Sequence, residues 1–347
     1  MNGIKDILKD YGVNAALVIT ASNTFYLSGY ESTNCRILIT NDKDYFFTDM
    51  RYLEEAKNAI GDRFEVLLGG VEEIKGIVDD LGVKALGVEE NVSYGEYRSL
   101  EELFKGVEFV AVDEAFSKIR AIKTEREISL IKTAQSVTET AFNEILPFIK
   151  EGVTEIEIAA RLEYIMLKNG CELAFDSIVA FGENGSKPHA HRSERKLRRG
   201  EFVTMDFGAK YKGYCSDMTR TVALGAVDER KARAYNAVLE ANKLAEKAIK
   251  IGEKCCDIDA VARNYLAKFS LDKFFSHSLG HSVGVDIHEM PAFSPRCDEV
   301  LKEGMIITVE PGVYLEGDFG LRIEDMALVT KNGAEILTHA DKNLIVL

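Results

Sequence analysis

Four acidic residues interrupt stretches that otherwise read as apolar strands: Asp206 in V-T-M-D-F-G, Asp217 in G-Y-C-S-D-M-T-R-T, Glu310 in I-I-T-V-E-P-G and Glu324 in L-R-I-E-D-M-A-L-V. An uncompensated carboxylate in such surroundings costs on the order of several kcal/mol, so the chain can fold only where these charges find partners. The spacing indicates how. Phe202 to Ala209 is apolar and Gly-rich and Gly213 to Val222 resumes a strand-like run, so a two-residue turn at Tyr211-Lys212 sets Asp206 directly opposite Asp217. Opposed residues of an antiparallel pair hold their Cβ atoms roughly 4.5–5.5 Å apart. In the same way, Met305 to Tyr314 and Gly320 to Val329 centre a second hairpin on Gly317, with a looser turn over Leu315 to Phe319, and put Glu310 across from Glu324. Four converging acids raise one another's pKa and need cations or protons at neutral pH. One such acid alone is usually a solvated strand-end or turn residue. Four of them in apolar strand patterns, with His281 in H-S-L-G-H between the hairpins, read as a two-metal site.

The remainder of the chain suits an enzyme of two domains. At 347 residues with 46% apolar composition it can bury two cores. No apolar run is long enough to span a bilayer, and M-N-G-I-K-D-I-L-K-D-Y-G reads as an amphipathic helix and not a signal peptide, which points to a cytoplasmic protein. A formal charge of −14 argues against nucleic acid or an anionic membrane as partner. The basic run His191 to Arg199 is the exception and reads as a solvated loop or oligomer contact. Cys35, Cys171, Cys215, Cys255, Cys256 and Cys297 include no C-x-x-C pair, so reduced thiols are expected.

Periodicity predicts an α/β N-terminal domain over 1–120. Strands are expected at Ala15 to Thr20, Cys35 to Thr40, Tyr45 to Thr48, Glu65 to Leu68, Ala85 to Glu89 and Phe109 to Val112. Helices are expected at Asn2 to Asp10, Arg51 to Ala59, Val71 to Asp80, Tyr94 to Leu103 and Asp113 to Arg120. A second domain over 121–347 opens on a long 3.6-period segment, Thr124 to Phe148, with Glu127 three residues after Thr124 as a capping box. Further helices are expected at Thr154 to Asn169, Glu229 to Ile251 and Asp257 to Phe269, between groups of strands.

The order Asp, Asp, His, Glu, Glu, carried by G-Y-C-S-D-M-T-R-T, F-S-H-S-L-G-H-S-V-G, H-E-M-P, V-E-P-G-V-Y and R-I-E-D, resembles the pita-bread metallopeptidases, and within them the Xaa-Pro peptidases, prolidase and aminopeptidase P. The resemblance covers the whole chain and is strongest from about Ile122 onward. It implies a creatinase/prolidase-like N-terminal domain followed by an α+β catalytic domain with a curved antiparallel sheet, made of two αα-ββ halves that each supply one acidic hairpin. It further implies two divalent metal ions. Asp206 would hold one, Asp217 and Glu324 would bridge both, and His281 with Glu310 would complete the second. Oxygen-rich donors with one imidazole suit Mn²⁺ or Co²⁺, with Zn²⁺ also possible. A water shared by the metals would attack the scissile carbonyl, and Glu310 would take its proton.

A lone histidine is more often structural than catalytic. The resemblance nevertheless places His189 (in K-P-H-A-H), His277 and His288 where relatives bind substrate, stabilise the tetrahedral intermediate or relay a proton, with His288 and His189 leading. His191 reads as structural and His339 as surface. Arg322, two residues before Glu324, matches a family arginine near the site, or partners an acid such as Asp217. Tyr314 reads as pocket or, more often for an aromatic in an apolar strand, as core. Thr219 and Thr308 face the ligands and suit hydrogen bonds to their carboxylates, while Gly280 and Gly284 permit close backbone approach or tight packing.

Two departures bear on specificity. Ser282 replaces the glycine that many relatives carry after the metal-site histidine, and Ala292 stands where many prolidases have an arginine that would grip a dipeptide's carboxylate, with Arg296 close by. Xaa-Pro aminopeptidase activity on short peptides with proline second therefore stands level with or slightly ahead of dipeptidase activity. Methionine aminopeptidases share the ligands but generally lack a leading domain of this size, creatinase-like hydrolases lack the metal set, and non-enzymatic peptide-binding relatives usually lose ligands. Relatives are commonly dimers, so a homodimer is expected by analogy.

Overall fold

A computed structural model describes residues 2–347, without the side chains of residues 2, 3 and 7; Met1 of the expected amphipathic segment lies outside the described residues. The chain divides into two compact units, 1–120 and 121–347.

In the first unit, six strands form one mixed sheet in the order 65–68, 45–48, 35–40, 15–18, 85–88, 108–111. The strands from 15 to 48 pair antiparallel, whereas 45–48 with 65–68, 15–18 with 85–88, and 85–88 with 108–111 run parallel. Because side chains alternate across a strand, Ala16, Val18, Ile37 and Ile39 enter one buried cluster, and Ala15, Leu17 and Leu38 enter another on the opposite face. Helices cover these faces, which is the α/β arrangement expected. One helix, Ala21–Ser28, was not anticipated, because A-S-N-T-F-Y-L-S carries no long apolar stripe. Its first turn is held by the buried carboxylate of Glu89, which accepts from the backbone of Thr20 and from Asn23 Nδ2.

The second unit is α+β with every strand pair antiparallel. Helix Glu125–Ile145 starts at the expected capping box: Thr124 Oγ1 accepts from the Glu127 amide and the Glu127 carboxylate accepts from the Thr124 amide. It packs with helix Glu155–Lys168 on the three-stranded sheet 218–224, 201–207, 178–181. Helices Glu229–Ala248 and Cys255–Ala267 pack in the same way on strands 306–309, 312–315, 319–322 and 325–330. Each half thus presents one acidic hairpin over a helix pair. The basic run is a loop in which Arg192 pairs with Glu163 and Arg195 with Glu201. All six cysteines are free thiols, and no described helix is long and apolar enough to cross a membrane.

The two hairpins are joined by a charge buried almost without exposure. Arg220 is 1% exposed, and its guanidinium donates to the carbonyls of Glu324 (2.5 Å), Ala340 (2.8 Å) and Asp341 (3.2 Å) and to Asp325 Oδ1 (2.6 Å). Removing one partner of a buried pair leaves the other uncompensated. Arg220→Met is expected to lower stability by about 3–5 kcal/mol, read as a shift of the denaturant midpoint at unchanged slope; a loss under about 0.5 kcal/mol would show that the anchor is dispensable.

Candidate metal centre

His189, Asp206, Asp217, His277, His281, His288, Glu310, Arg322 and Glu324 all line one cleft of about 520 Å³. His191 and His339 stay outside its lining and are exposed.

The acids reach the cleft by a geometry that differs in part from the expectation. The first hairpin turns at Lys212-Gly213, both with positive φ (48° and 81°), one residue later than predicted. The register therefore shifts by two, and Asp206 pairs with Thr219 instead of Asp217. The strand breaks at Ser216-Asp217, where Ser216 Oγ is tied to Thr138 and to the Ala209 amide, and the break turns Asp217 into the cleft. In the second hairpin the predicted register holds, with Gly312 opposite Arg322 and Val309 opposite Asp325. The expected continuous strands are nevertheless split at Glu310-Pro311 and Ile323-Glu324. Pro311 has no N–H to give, and the amides of Glu310 and Glu324 leave the hairpin for the carbonyls of Leu279 (2.8 Å) and Thr219 (3.1 Å). Asp217, Glu310 and Glu324 therefore sit at strand breaks, with the backbones of Glu310 and Glu324 held from outside their own hairpin, while Asp206 stays within strand 201–207.

At the floor, Asp217, His281 and Glu324 each offer a ligand atom within 4.8 Å of the others. His281 Nε2 lies 3.6 Å from Asp217 Oδ2 and 3.4 Å from Glu310 Oε1. Its Nδ1–H donates to the Ser282 carbonyl at 3.2 Å, which leaves the Nε2 lone pair aimed at the acids. Thr219 Oγ1 donates to Glu324 Oε2 (2.7 Å), and Thr308 Oγ1 donates to Glu310 Oε1 (3.3 Å). The opposite oxygens, Asp206 Oδ1, Asp217 Oδ1 and Glu324 Oε1, are buried without any hydrogen-bond partner. Buried carboxylate oxygens are rarely left so. Three orphaned acceptors on acids that share one cleft with a neutral imidazole, in an oxygen-rich set, fit divalent cations.

The electrostatics agree. Burial, then the neighbouring carboxylates, push Asp217 and Glu324 well above the usual carboxylate range, and Glu310 up to about 8. Burial also pulls His281 down to about 4 and, with Arg322 nearby, His277 to about 3, so both imidazoles are neutral.

Arg322 pairs with Asp206 (Nη2 to Oδ2, 2.6 Å), not with Asp217, because Asp206 faces it across the joined hairpins while Asp217 turns away at its strand break. Its other donors reach Thr219 Oγ1 (2.9 Å) and the Tyr314 hydroxyl (2.6 Å). Tyr314, weighed mainly as core, is buried but its hydroxyl is a node: His277 Nδ1–H donates to the Ser278 carbonyl (2.8 Å), so His277 Nε2 accepts from Tyr314 (2.9 Å). The wall also includes Phe175, Ile178 and Ile287, which nothing in the sequence separates from ordinary core residues.

Residues 129–331 match the model of metallopeptidase family M24, and residues 1–122 match that of the creatinase/prolidase N-terminal domain. The chain belongs to metallopeptidase family M24. It is 37% identical to a Xaa-Pro dipeptidase of Pyrococcus horikoshii over 99% of this chain and 97% of that one. Among solved structures it is similar to a Xaa-Pro dipeptidase from Bacillus anthracis (TM-score 0.96, 37% identity, 100% and 98% of the two chains) and to an X-Pro aminopeptidase from Thermotoga maritima (TM-score 0.91, 37% identity, 99% and 100%).

A group whose folded pKa exceeds its unfolded one lends stability below the unfolded value and loses it as pH rises through the folded one. Glu310, ordinarily at 4.5 and raised to about 8, loses its contribution over that interval, and Asp217 and Glu324 act in the same direction. His277 and His281, lowered from 6.5, act oppositely but only below that value. Metal-stripped protein is therefore expected to melt at falling temperature from about pH 6.5 to about pH 8, and Mn²⁺ to reverse the fall. A flat profile would refute the buried-acid account.

Proposed function

We infer that the chain hydrolyses the Xaa-Pro bond at the N-terminus of short peptides, with 121–347 as the catalytic domain and 1–120 as an N-terminal domain. The observation that carries this reading is the set of orphaned carboxylate oxygens on acids that share one cleft with His281, joined to full-length similarity to Xaa-Pro peptidases. Asp206 would hold one ion, Asp217 and Glu324 both, and His281 with Glu310 the second; Mn²⁺ suits this donor set best, with Co²⁺ or Zn²⁺ as substitutes. When bound, a divalent pair polarises the scissile carbonyl and makes water acidic enough to attack at neutral pH.

The protein's own groups supply the rest. Glu310, the acid held by Thr308, receives the proton of the attacking water. The bond to proline is a tertiary amide, so its nitrogen leaves only when protonated, and His288 and His189, which line the cleft and are exposed, would donate to that nitrogen or to the tetrahedral oxyanion. Arg322 holds Asp206 and Tyr314 in place, and Tyr314 in turn orients neutral His277.

Aminopeptidase action on longer peptides is favoured by Ala292 in the cleft lining, where many prolidases carry an arginine. Beyond Ser278 and Ala292 the cleft adjoins a second cavity lined by exposed Arg296, which leaves room past the second substrate residue. A cytoplasmic homodimer completes the proposal, by analogy with relatives.

Hydrolysis of Ala-Pro, Leu-Pro and Ala-Pro-Ala under Mn²⁺ and Co²⁺ is expected, fastest for the tripeptide, with Met-Ala-Ser uncleaved; cleavage of Met-Ala-Ser alone would overturn the reading. Asp217→Asn is expected to lose metal and activity together. His288→Ala should keep its metal and lose kcat by roughly 10²-fold or more; undiminished kcat would remove His288 from the mechanism.

A further inference from the structure

His288 stands on the turn 284–289, exposed at the cleft, with its ring edge-on to that of His281 at 4.4 Å between centroids. The turn is held at Gly284, whose carbonyl accepts from the Cys215 amide (2.8 Å) and whose amide donates to the Asp286 carbonyl (3.0 Å), and its Ile287 backbone bonds to the His281 ring. It joins strands 280–282 and 289–293, whose register jumps from His281 opposite Ala292 to Ser282 opposite Glu289, so Met290 and Pro291 are left without partners. A bulge of this kind re-aims the neighbouring side chains, but it also loosens the ladder that would hold them.

The next residue along, Glu289, supplies what the ladder lacks. Its side chain is 5% exposed and does not line the cleft. One carboxylate oxygen accepts from the Asp286 amide at 3.2 Å, closing the turn from inside, and the other lies 3.2 Å from Lys123 Nζ, whose side chain is 1% exposed. The carboxylate lies over Gly284, where an added Cβ would come within 2.5–2.7 Å of it and would have to displace it. The Lys123 backbone is anchored separately. Its amide donates to the Gly304 carbonyl (2.9 Å), and it directly precedes Thr124, the cap of helix Glu125–Ile145.

We propose that the buried Lys123–Glu289 ion pair is a positioning device that ties the His288 turn to the start of helix Glu125–Ile145 and so sets the distance from His288 to the reacting bond. Lys123 and Glu289 touch no substrate; they act through His288. This rests on the catalytic role given to His288 above, and its test is therefore built to separate the two.

Lys123→Met, Lys123→Arg and Glu289→Gln are compared with the full-length, Mn²⁺-loaded enzyme on Ala-Pro-Ala, alone and in the His288→Ala background. The ring resonance of His288 is followed by NMR in the Zn²⁺-loaded protein and identified by its loss in His288→Ala. The expected result is a displaced His288 resonance in Lys123→Met, unmoved His191 and His339 resonances, and unchanged metal content and KM. The accompanying kcat loss is expected to be roughly 10-fold to 10²-fold. Lys123→Arg restores both resonance and kcat, and Lys123→Met costs nothing further once His288 is alanine. An unmoved resonance, or a kcat loss that persists undiminished in the His288→Ala background, overturns the proposal. If the wild type cleaves no Xaa-Pro peptide, the functional reading fails and the resonance alone decides the positioning. If Lys123→Met does not fold, Glu289→Gln, which keeps shape and removes the charge, carries the same tests.

Discussion

The structure is organised around a concentration of negative charge that its own interior cannot tolerate. Asp217 and Glu324 are 4% and 1% exposed, and each of them, like Asp206, has an oxygen that no protein group satisfies. In a low-dielectric interior such a cluster persists only with protons or cations. Arg322 pairs closely with Asp206 and only at 4.0 Å with Glu310, which leaves Asp217 and Glu324 without a paired cation. A site of this kind is costly to fold and correspondingly avid for divalent ions, which suits a metallopeptidase.

What makes the cluster possible is that three of the four acids leave their strands, while Asp206 stays within strand 201–207. Asp217, Glu310 and Glu324 lie at breaks, and the amides of Glu310 and Glu324 bond to Leu279 and Thr219, on other elements. The side chains are then free to converge, while Thr219, Thr308 and the Ser282 carbonyl fix the orientation of Glu324, Glu310 and His281. Arg220 binds the two hairpins beneath the site, through the Glu324 carbonyl and Asp325. Lys342 adds a second cation to Asp325 at 2.7 Å and reaches Glu246 on the helix below. The ligands thus rest on a scaffold whose charges are internally matched, in contrast to the site itself.

Much of this was legible in the chain. The capping box at Thr124, the alternation that splits the first sheet's residues between two cores and the acids inside apolar strands are all local patterns, and local patterns survive translation into structure. The second hairpin's register followed from its central Gly317. The first was misread because both residues of its turn adopt positive φ, which Gly213 accepts readily but Lys212 does not advertise, and one residue of turn moves the register by two. The helix Ala21–Ser28 was missed because its hold, the Glu89 carboxylate, lies more than sixty residues away. Tyr314 is buried as its apolar strand indicates, and only its hydroxyl's neighbours reveal that it also links Arg322 to His277.

By itself the sequence determined which acids and histidines gather in one cleft, since acids in apolar strand contexts need partners of opposite charge or protons. It also determined the capping box that opens helix Glu125–Ile145, which depends on neighbours a few positions apart. Only the tertiary structure decided which acid faces Arg322, where the strands break to turn Asp217, Glu310 and Glu324 inward, and that Lys123 sits buried against Glu289 across 166 residues. Those outcomes depend on which distant backbone groups claim each amide and carboxylate, and periodicity along a chain carries no record of that competition.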